Sequence, residues 1–286
     1  MQWVLRIILV MLASSVLPAS AAPTVLMGPD DAQHLLGRAG FGVRPADLVA
    51  FAQLSREEAV DRLLAETRAE SAAPPAELNE YISPSRLRAL SDDERKEMQT
   101  SNAKALRAWW LGAMLGASTP AEQVRERMTL FWHNHFVSSL QKVKSAKLML
   151  DRNRLLRRHA LGNFGDLLHS VSKDPAMVIY LDSATNRKGS PNENFAREVM
   201  ELFTLGEGHY TEQDGKEAAR AFTGWSVEPD TGEFRWRPVI HDSSSKTLRW
   251  ASVMSLSCAF FMGSTGVVVT TGACPGQSGR TCCLPA

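Results

Sequence analysis

Apolar residues recur at three- and four-residue intervals through most of the chain, and hydroxyl–glutamate pairs punctuate them in the manner of helix starts. Ser55 with Glu58 opens "SREEAVDRLLAET", Ser91 with Glu94 opens "SDDERKEMQ", and Thr119-Pro120 with Glu122 opens "TPAEQVRERMTLFWHNHF". Ser190, with Pro191 at the first helical position and Glu193 as the third, is expected to start "SPNENFAREVMELFTL" by the same grammar. Gly206 and Gly208 end that helix, and Thr211 caps the next. "AESAAPPAEL", residues 69–78, reads as a loop between helices. Beyond Trp225 the period changes to alternation around Pro229-Asp230-Thr231-Gly232, which predicts a small β-hairpin near residues 226–238. The expected fold is mainly α, a multi-helix domain carrying that one hairpin.

Composition changes this picture at the two ends. "MQWVLRIILVMLASSVLPASAAP" joins Arg6 to an apolar run from Ile7 to Leu17 and then to Ala19-Ser20-Ala21, the order of a signal peptide spanning residues 1–21. The run is shorter than the roughly 20 residues a membrane span needs. No transmembrane segment is expected after cleavage, and the mature chain is expected to be exported, either periplasmic or secreted. The last forty residues, Thr247 to Ala286, contain no Asp or Glu and hold all four cysteines, Cys258, Cys274, Cys282 and Cys283. Such a stretch cannot cover itself with solvated charge. Three parts follow: the leader, a helical domain over residues 22–246, and an atypical tail over 247–286, expected to be disordered and to arise from a reading-frame shift near Lys246 to Leu248. The formal charge of the whole chain is +1, so no global field favours nucleic acid or an anionic membrane as a partner.

Within the helical domain, the stretch Ser190 to Tyr210 concentrates the polar groups that chemistry could use. A helix there is expected to bury Phe195, Val199, Leu202 and Phe203. Glu193 would close the capping box, and Arg197 lies one turn from both Glu193 and Glu201, as in a ladder of ion pairs. Asn194, Glu198 and Glu201 then form a polar stripe bordering the apolar face. A carboxylate at such a border either meets a partner from another helix or faces a cleft, because burying it alone is too costly. In "FWHNHF", Val124, Met128, Phe131 and His135 share a face while His133 points away, so the two histidines cannot ligate one metal as an i,i+4 pair would. His135 reads as a core histidine or as a helper to Glu198. His209 follows in a glycine-flanked loop, and His241-Asp242 follow the hairpin. "RNRLLRRHA", residues 152–160, reads as a solvated basic face.

Four stretches resemble a bacterial family catalogued as domain-of-unknown-function 1800: "HLLGRAGFG" (34–42), "FWHNHFVSS" (131–139), "NENFAREVMELFTLGEGHYTEQDGKEAARAFTGW" (192–225) and "HDSSSKT" (241–247). The resemblance implies an exported, mostly helical protein, usually longer, in which a glycine-rich continuation and a helical C-terminal half follow "HDSSSKT". The acid-free tail departs from that pattern, as does Gly215, where the family carries an apolar residue. No catalytic role transfers with the resemblance.

Two readings of function remain open on these residues, beside that of a truncated product without activity. One is a hydrolase-type enzyme acting on an envelope or extracellular substrate, with Glu198 or Glu201 as general base or metal ligand and His135 or His209 assisting. Asn192, Asn194, Arg197, His133, His241 and Asp242 would bind, and a divalent metal is the cofactor such a site would take. The other is a non-catalytic envelope binding or assembly protein whose polar network only locks helices. Resequencing the gene through the codons for Ser243 to Cys258 is expected to reveal an acid-containing helical continuation in another frame. The same frame in an independent isolate would establish the tail as genuine.

Overall fold

The computed structural model describes residues 25–65, 73–247 and 267–268. The proposed leader, the first part of the expected 69–78 loop and nearly all of the acid-free tail lie outside them. Helices dominate the described residues, in the order Gly28–Ala39, Pro45–Ala52, Arg56–Leu64, Pro84–Ala89, Asp92–Leu115, Pro120–His135, Leu140–Val143, Ala146–His159, Phe164–Ser172, Pro175–Tyr180, Asn194–Glu198 and Glu212–Ala221. None of them is long and apolar enough to cross a membrane.

The expected starts at Ser55, Ser91 and Thr119 form complete capping boxes with Glu58, Glu94 and Glu122, and Thr211 forms another with Asp214. The hairpin also forms, pairing Trp225–Val227 antiparallel with Phe234–Trp236. Its turn brings Gly232, at φ +76°, against the Tyr81 ring, where a side chain would collide. Part of the expected 69–78 loop is ordered as a 3₁₀ turn, Ala76–Asn79, which buries Leu78 against Trp109 and Leu150.

The first three helices pack on one another through Ala32, Leu36, Phe51, Ala59 and Leu63. The larger core gathers Phe136, Leu156, Leu167, Leu168, Val171, Met177, Phe195, Val199, Met200, Phe203, Phe222 and Trp225 from six segments of the chain. Each such side chain withdrawn from water contributes roughly 1.5–3 kcal/mol. A Cβ on Gly215 would meet Glu193, Met200 and Arg197 at 3.8 to 4.0 Å, ordinary contact distances, so the helix has room there for a methyl group.

One expectation fails in the middle of the molecule. "RNRLLRRHA" is not a solvated face: Arg152 and Arg157 are 0% and 1% exposed. Arg152 donates to Asp174 Oδ2 at 2.8 Å and to the Phe136 carbonyl. Arg157 holds Glu126 with both Nε (2.7 Å) and Nη2 (2.9 Å), and its Nη1 reaches Asn153 Oδ1 at 2.7 Å. On the histidine helix Pro120–His135, the buried residues are accordingly Ala121, Glu126 and Thr129, while Phe131, on the apolar face shared with Val124, Met128 and His135, is 52% exposed. A buried guanidinium needs its carboxylate, and that requirement sets the rotation of the helix. Truncating Arg152 to methionine would leave Asp174, whose carboxyl burial already pushes up, without its cation. The expected loss is about 3–5 kcal/mol in urea unfolding, against under about 1 kcal/mol for the exposed Arg86→Met.

Candidate functional site

The helix carrying the carboxylates does not begin at Ser190. Ser190 instead closes a tight turn with Arg187 around Gly189, at φ +81°, and the helix starts at Asn194. A chain of asparagines replaces the expected capping box. Asn186 Oδ1 accepts from the Asn192 N–H (2.9 Å), and Asn192 Oδ1 accepts from the Asn194 N–H (3.0 Å). Asn192 Nδ2 donates to Thr185 Oγ1 (3.0 Å), Asn194 Nδ2 to the Leu181 carbonyl (3.2 Å), and Asn186 Nδ2 to the Ala219 carbonyl (2.8 Å). The short asparagine side chain mimics a backbone turn, so it caps as well as a serine would. Freed from the box, Glu193 takes Arg197 by Nε (3.1 Å) and Nη2 (2.8 Å).

From Val199 to Thr204 the helix widens into a π-turn, with the Leu205 N–H bonded to the Met200 carbonyl at 2.8 Å. The extra residue in that turn changes the phase of the apolar stripe: Phe203 is buried, whereas Leu202, expected inward, is 59% exposed. The predicted ladder therefore stops at one rung. Arg197 pairs with Glu193, and Glu201 is held instead by the Tyr210 hydroxyl, at 2.6 Å. Glu198 is half-buried and has no hydrogen-bond or ion-pair partner among the described residues. Burial and the charge of Glu201 together hold its carboxyl above the usual range.

His135 joins this group through the backbone. Its Nε2 donates to the Phe203 carbonyl at 3.2 Å, and its ring sits among Phe131, Trp132, Phe136, Phe164 and Phe203. His133 points away, edge-on to Trp110 at 4.7 Å between ring centroids. His209 stays exposed in the loop after the π-turn. Among the described residues no three histidine, cysteine or carboxylate side chains are grouped as a metal site would require.

His241 and Asp242 belong to a different cluster on the Glu212–Ala221 helix. Arg220 donates to Asp242 by Nε (2.8 Å), to both oxygens of Glu217 by Nη1 (2.9 and 2.8 Å), and to Ser244 Oγ by Nη2 (2.5 Å). Arg220 foremost, then the Ser244 hydroxyl and N–H, which both donate to Asp242 Oδ1, hold the Asp242 carboxyl well below the usual carboxylate range. Buried Lys246 donates to the Asp242 carbonyl. His241 Nδ1 donates to the Thr223 carbonyl at 2.7 Å, and its buried Nε2 has no partner among the described residues. "HDSSSKT" is thus a strap bound along one helix. Arg220, Glu217 and Lys246 were not singled out in the sequence, because Arg220 meets Asp242 only across twenty-two residues. Tyr210 was equally invisible as a partner of Glu201, since the π-turn decides its reach.

Beside the asparagine chain lies an open polar cleft of about 850 Å³, whose walls include Thr185, Arg187, Asn192, Glu193, Arg237 and Ile240. Arg187 and Arg237 are exposed there and make no ion pair among the described residues. A helical body, a short hairpin, an asparagine-capped helix that widens into a π-turn, and a polar strap define the class of protein. A family model described as "Protein of unknown function (DUF1800)" matches residues 34–254, and the chain belongs to that family. Residues 255–286 lie outside the match. No curated protein and no solved structure matches the chain.

Burial and the nearby Arg152 charge push the His133 imidazole down to about 4. Because the folded value lies below the ordinary 6.5, stability is full above pH 6.5 and falls as the unfolded chain takes up its proton first. Urea midpoints are expected to decline between pH 6.5 and about 4, and His133→Gln is expected to flatten that decline. An unchanged slope in the variant would assign the acid sensitivity to other groups.

Proposed function

We propose that the chain is an exported, non-catalytic binding module of the cell envelope, in which a polar frame holds the helices and the cleft beside Asn192 takes an acidic partner. The observation that carries this reading is where the signature side chains are used. Asn186, Asn192, Asn194, His135, His241 and Asp242 all bond to groups inside the fold. Hydrogen-bonded networks of this kind lock helices together and keep few donors for a reacting group. Beside Glu193, which Arg197 holds, the cleft presents Arg187 and Arg237, without ion-pair partners among the described residues and suited to carboxylates or phosphates.

The second reading, a hydrolase-type enzyme on an envelope substrate, is favoured by one feature. Glu198, at the end of the α-helix, and Glu201, in the π-turn, stand one turn apart, the first without a partner among the described residues and with a raised carboxyl, the second receiving a hydroxyl hydrogen bond. Two neighbouring carboxylates in unlike surroundings are what a general acid and its partner base need. In that case Glu198 would be the proton donor and Glu201 the base. His135 would position the turn through the Phe203 carbonyl, and exposed His209 would assist only if its loop closed.

Glu198→Gln separates the two. At low pH both folded and unfolded Glu198 are protonated; as pH rises the unfolded chain ionises first, and the native state loses stability relative to it. Glutamine has no such loss, so the variant's Tm is expected to exceed the parent's by about 1–3 °C at pH 7, with the gap closing towards pH 4. Under the binding reading, neither protein turns over ester, glycoside or peptide substrates, and Arg187→Ala/Arg237→Ala weakens capture of an acidic envelope polymer. Turnover by the parent, lost about 100-fold or more in Glu198→Gln, would replace the binding reading with the enzymic one.

A further inference from the structure

On a different face, the long helix Asp92–Leu115 crosses the short turn Leu140–Val143 and the start of the Ala146–His159 helix, leaving a groove of about 430 Å³. That volume falls within the roughly 300–1,000 Å³ of small-molecule sites. Its floor is mostly apolar, with half-buried Ile82, Leu87, Met98, Ala103 and Leu140 beside the half-buried polar Gln99, Asn102 and Ser145. Its rim is basic. Lys96, Lys104, Arg107 and Lys144 line it, all exposed and without an ion pair among the described residues.

The charges nearby do not neutralise that rim. Lys147, also lining the groove, is already held by Asp151. The one carboxylate in the lining, Glu80, is taken by Arg86 at 2.5 Å. Lys144 is fixed on the rim by its backbone: it sits at φ +58° at the C-terminus of the Leu140 turn, with its N–H bonded to the Leu140 carbonyl at 2.8 Å. Four cations without an ion-pair partner among the described residues, set around a concave and mostly apolar floor, focus positive potential into the groove. Leaving cations together in this way costs stability through mutual repulsion, and a negative group among them would relieve it.

We propose that this groove binds an anionic amphiphile, with a single apolar chain on the floor and a carboxylate or phosphate head among Lys96, Lys104, Arg107 and Lys144. Floor and rim each account for one half of such a ligand. A free inorganic anion would leave the floor wet, and an uncharged or cationic chain would leave the rim uncompensated. The site is independent of the Asn192 cleft and of either reading of it.

Titration calorimetry on the full chain, with four probes below their micelle-forming concentrations, tests this: dodecanoate, dodecyl phosphate, dodecyltrimethylammonium and inorganic phosphate. The first two are expected to bind saturably with one site, and the other two at least about tenfold more weakly. The head group preferred between the first two distinguishes a fatty-acid source from a phospholipid one. Lys104→Glu/Arg107→Glu is expected to weaken dodecanoate by about tenfold or more without moving Tm, since both side chains are exposed and unpaired. Ala103→Trp, which fills the floor and removes no charge, is expected to abolish binding of both anionic probes. Equal binding of the cationic chain, equal binding of inorganic phosphate, or a charge reversal without effect would each overturn the proposal.

Discussion

A guanidinium taken out of water has to find its compensation inside the fold, and the Ala146–His159 helix carries two of them. Arg152 and Arg157 are among the largest fully buried side chains of the described residues. Arg157 fixes the histidine helix by gripping Glu126 with two nitrogens, and its guanidinium also lies over the Trp109 ring at 5.3 Å. Arg152 fixes two further segments. It takes the carbonyl of Phe136, where the histidine helix ends, and it takes Asp174, whose Oδ2 also accepts the Met177 N–H and so caps the Pro175–Tyr180 helix. Three helices are therefore oriented by charges that none of them can leave unpaired. A pair of this kind need not add net stability over a hydrophobic replacement. Its effect is on orientation, because only one arrangement satisfies all its partners.

That arrangement is what brings the candidate site together. Phe136, held by Arg152, packs against Phe203 at 5.1 Å between ring centroids, and His135 beside it meets the Phe203 carbonyl. The π-turn is thereby pinned from the histidine helix on one side and by the asparagine chain on the other. Thr204 Oγ1 takes the Val199 carbonyl at 2.6 Å, satisfying an acceptor that the widened turn leaves over. Glu198 and Glu201 owe their unlike surroundings to this turn, since regular helical pairing would have brought Arg197 towards Glu201.

The strap 241–247 follows the same logic at the other end. Arg220 anchors it through Asp242 and Ser244, and Glu217 accepts the Thr247 N–H at 3.1 Å. Through the Gly224 N–H to the Asn186 carbonyl (3.0 Å) and Asn186 Nδ2 to the Ala219 carbonyl, the strap's helix is joined to the asparagine chain. Asparagine chain and strap are thus joined by hydrogen bonds, and the arginine frame reaches the site through the packing of Phe136 on Phe203.

Local patterns were enough for the fold class, the capping boxes at Ser55, Ser91 and Thr119, the Thr211 cap and the hairpin after Trp225, because each depends on residues within a few positions of one another. The family could be named for the same reason, from contiguous stretches within residues 34–254. One sign of buried charge was also legible: Arg152 lies four residues from both Leu148 and Leu156, on their buried stripe. Its partners were not, since Asp174 lies twenty-two residues away, and Glu126 lies thirty-one from Arg157. The same holds for the carboxylates. Sequence alone could place Glu198 at the border of an apolar face, but a π-turn is set by packing of Phe203 against Phe136 and His135. Ser190 shows the reverse error, a sound local capping signal overruled because the asparagines found better-placed partners across the fold. Helix starts are local free-energy minima readable from neighbours; which charges are buried, and which are left facing a cleft, is decided only when distant helices compete for the same space.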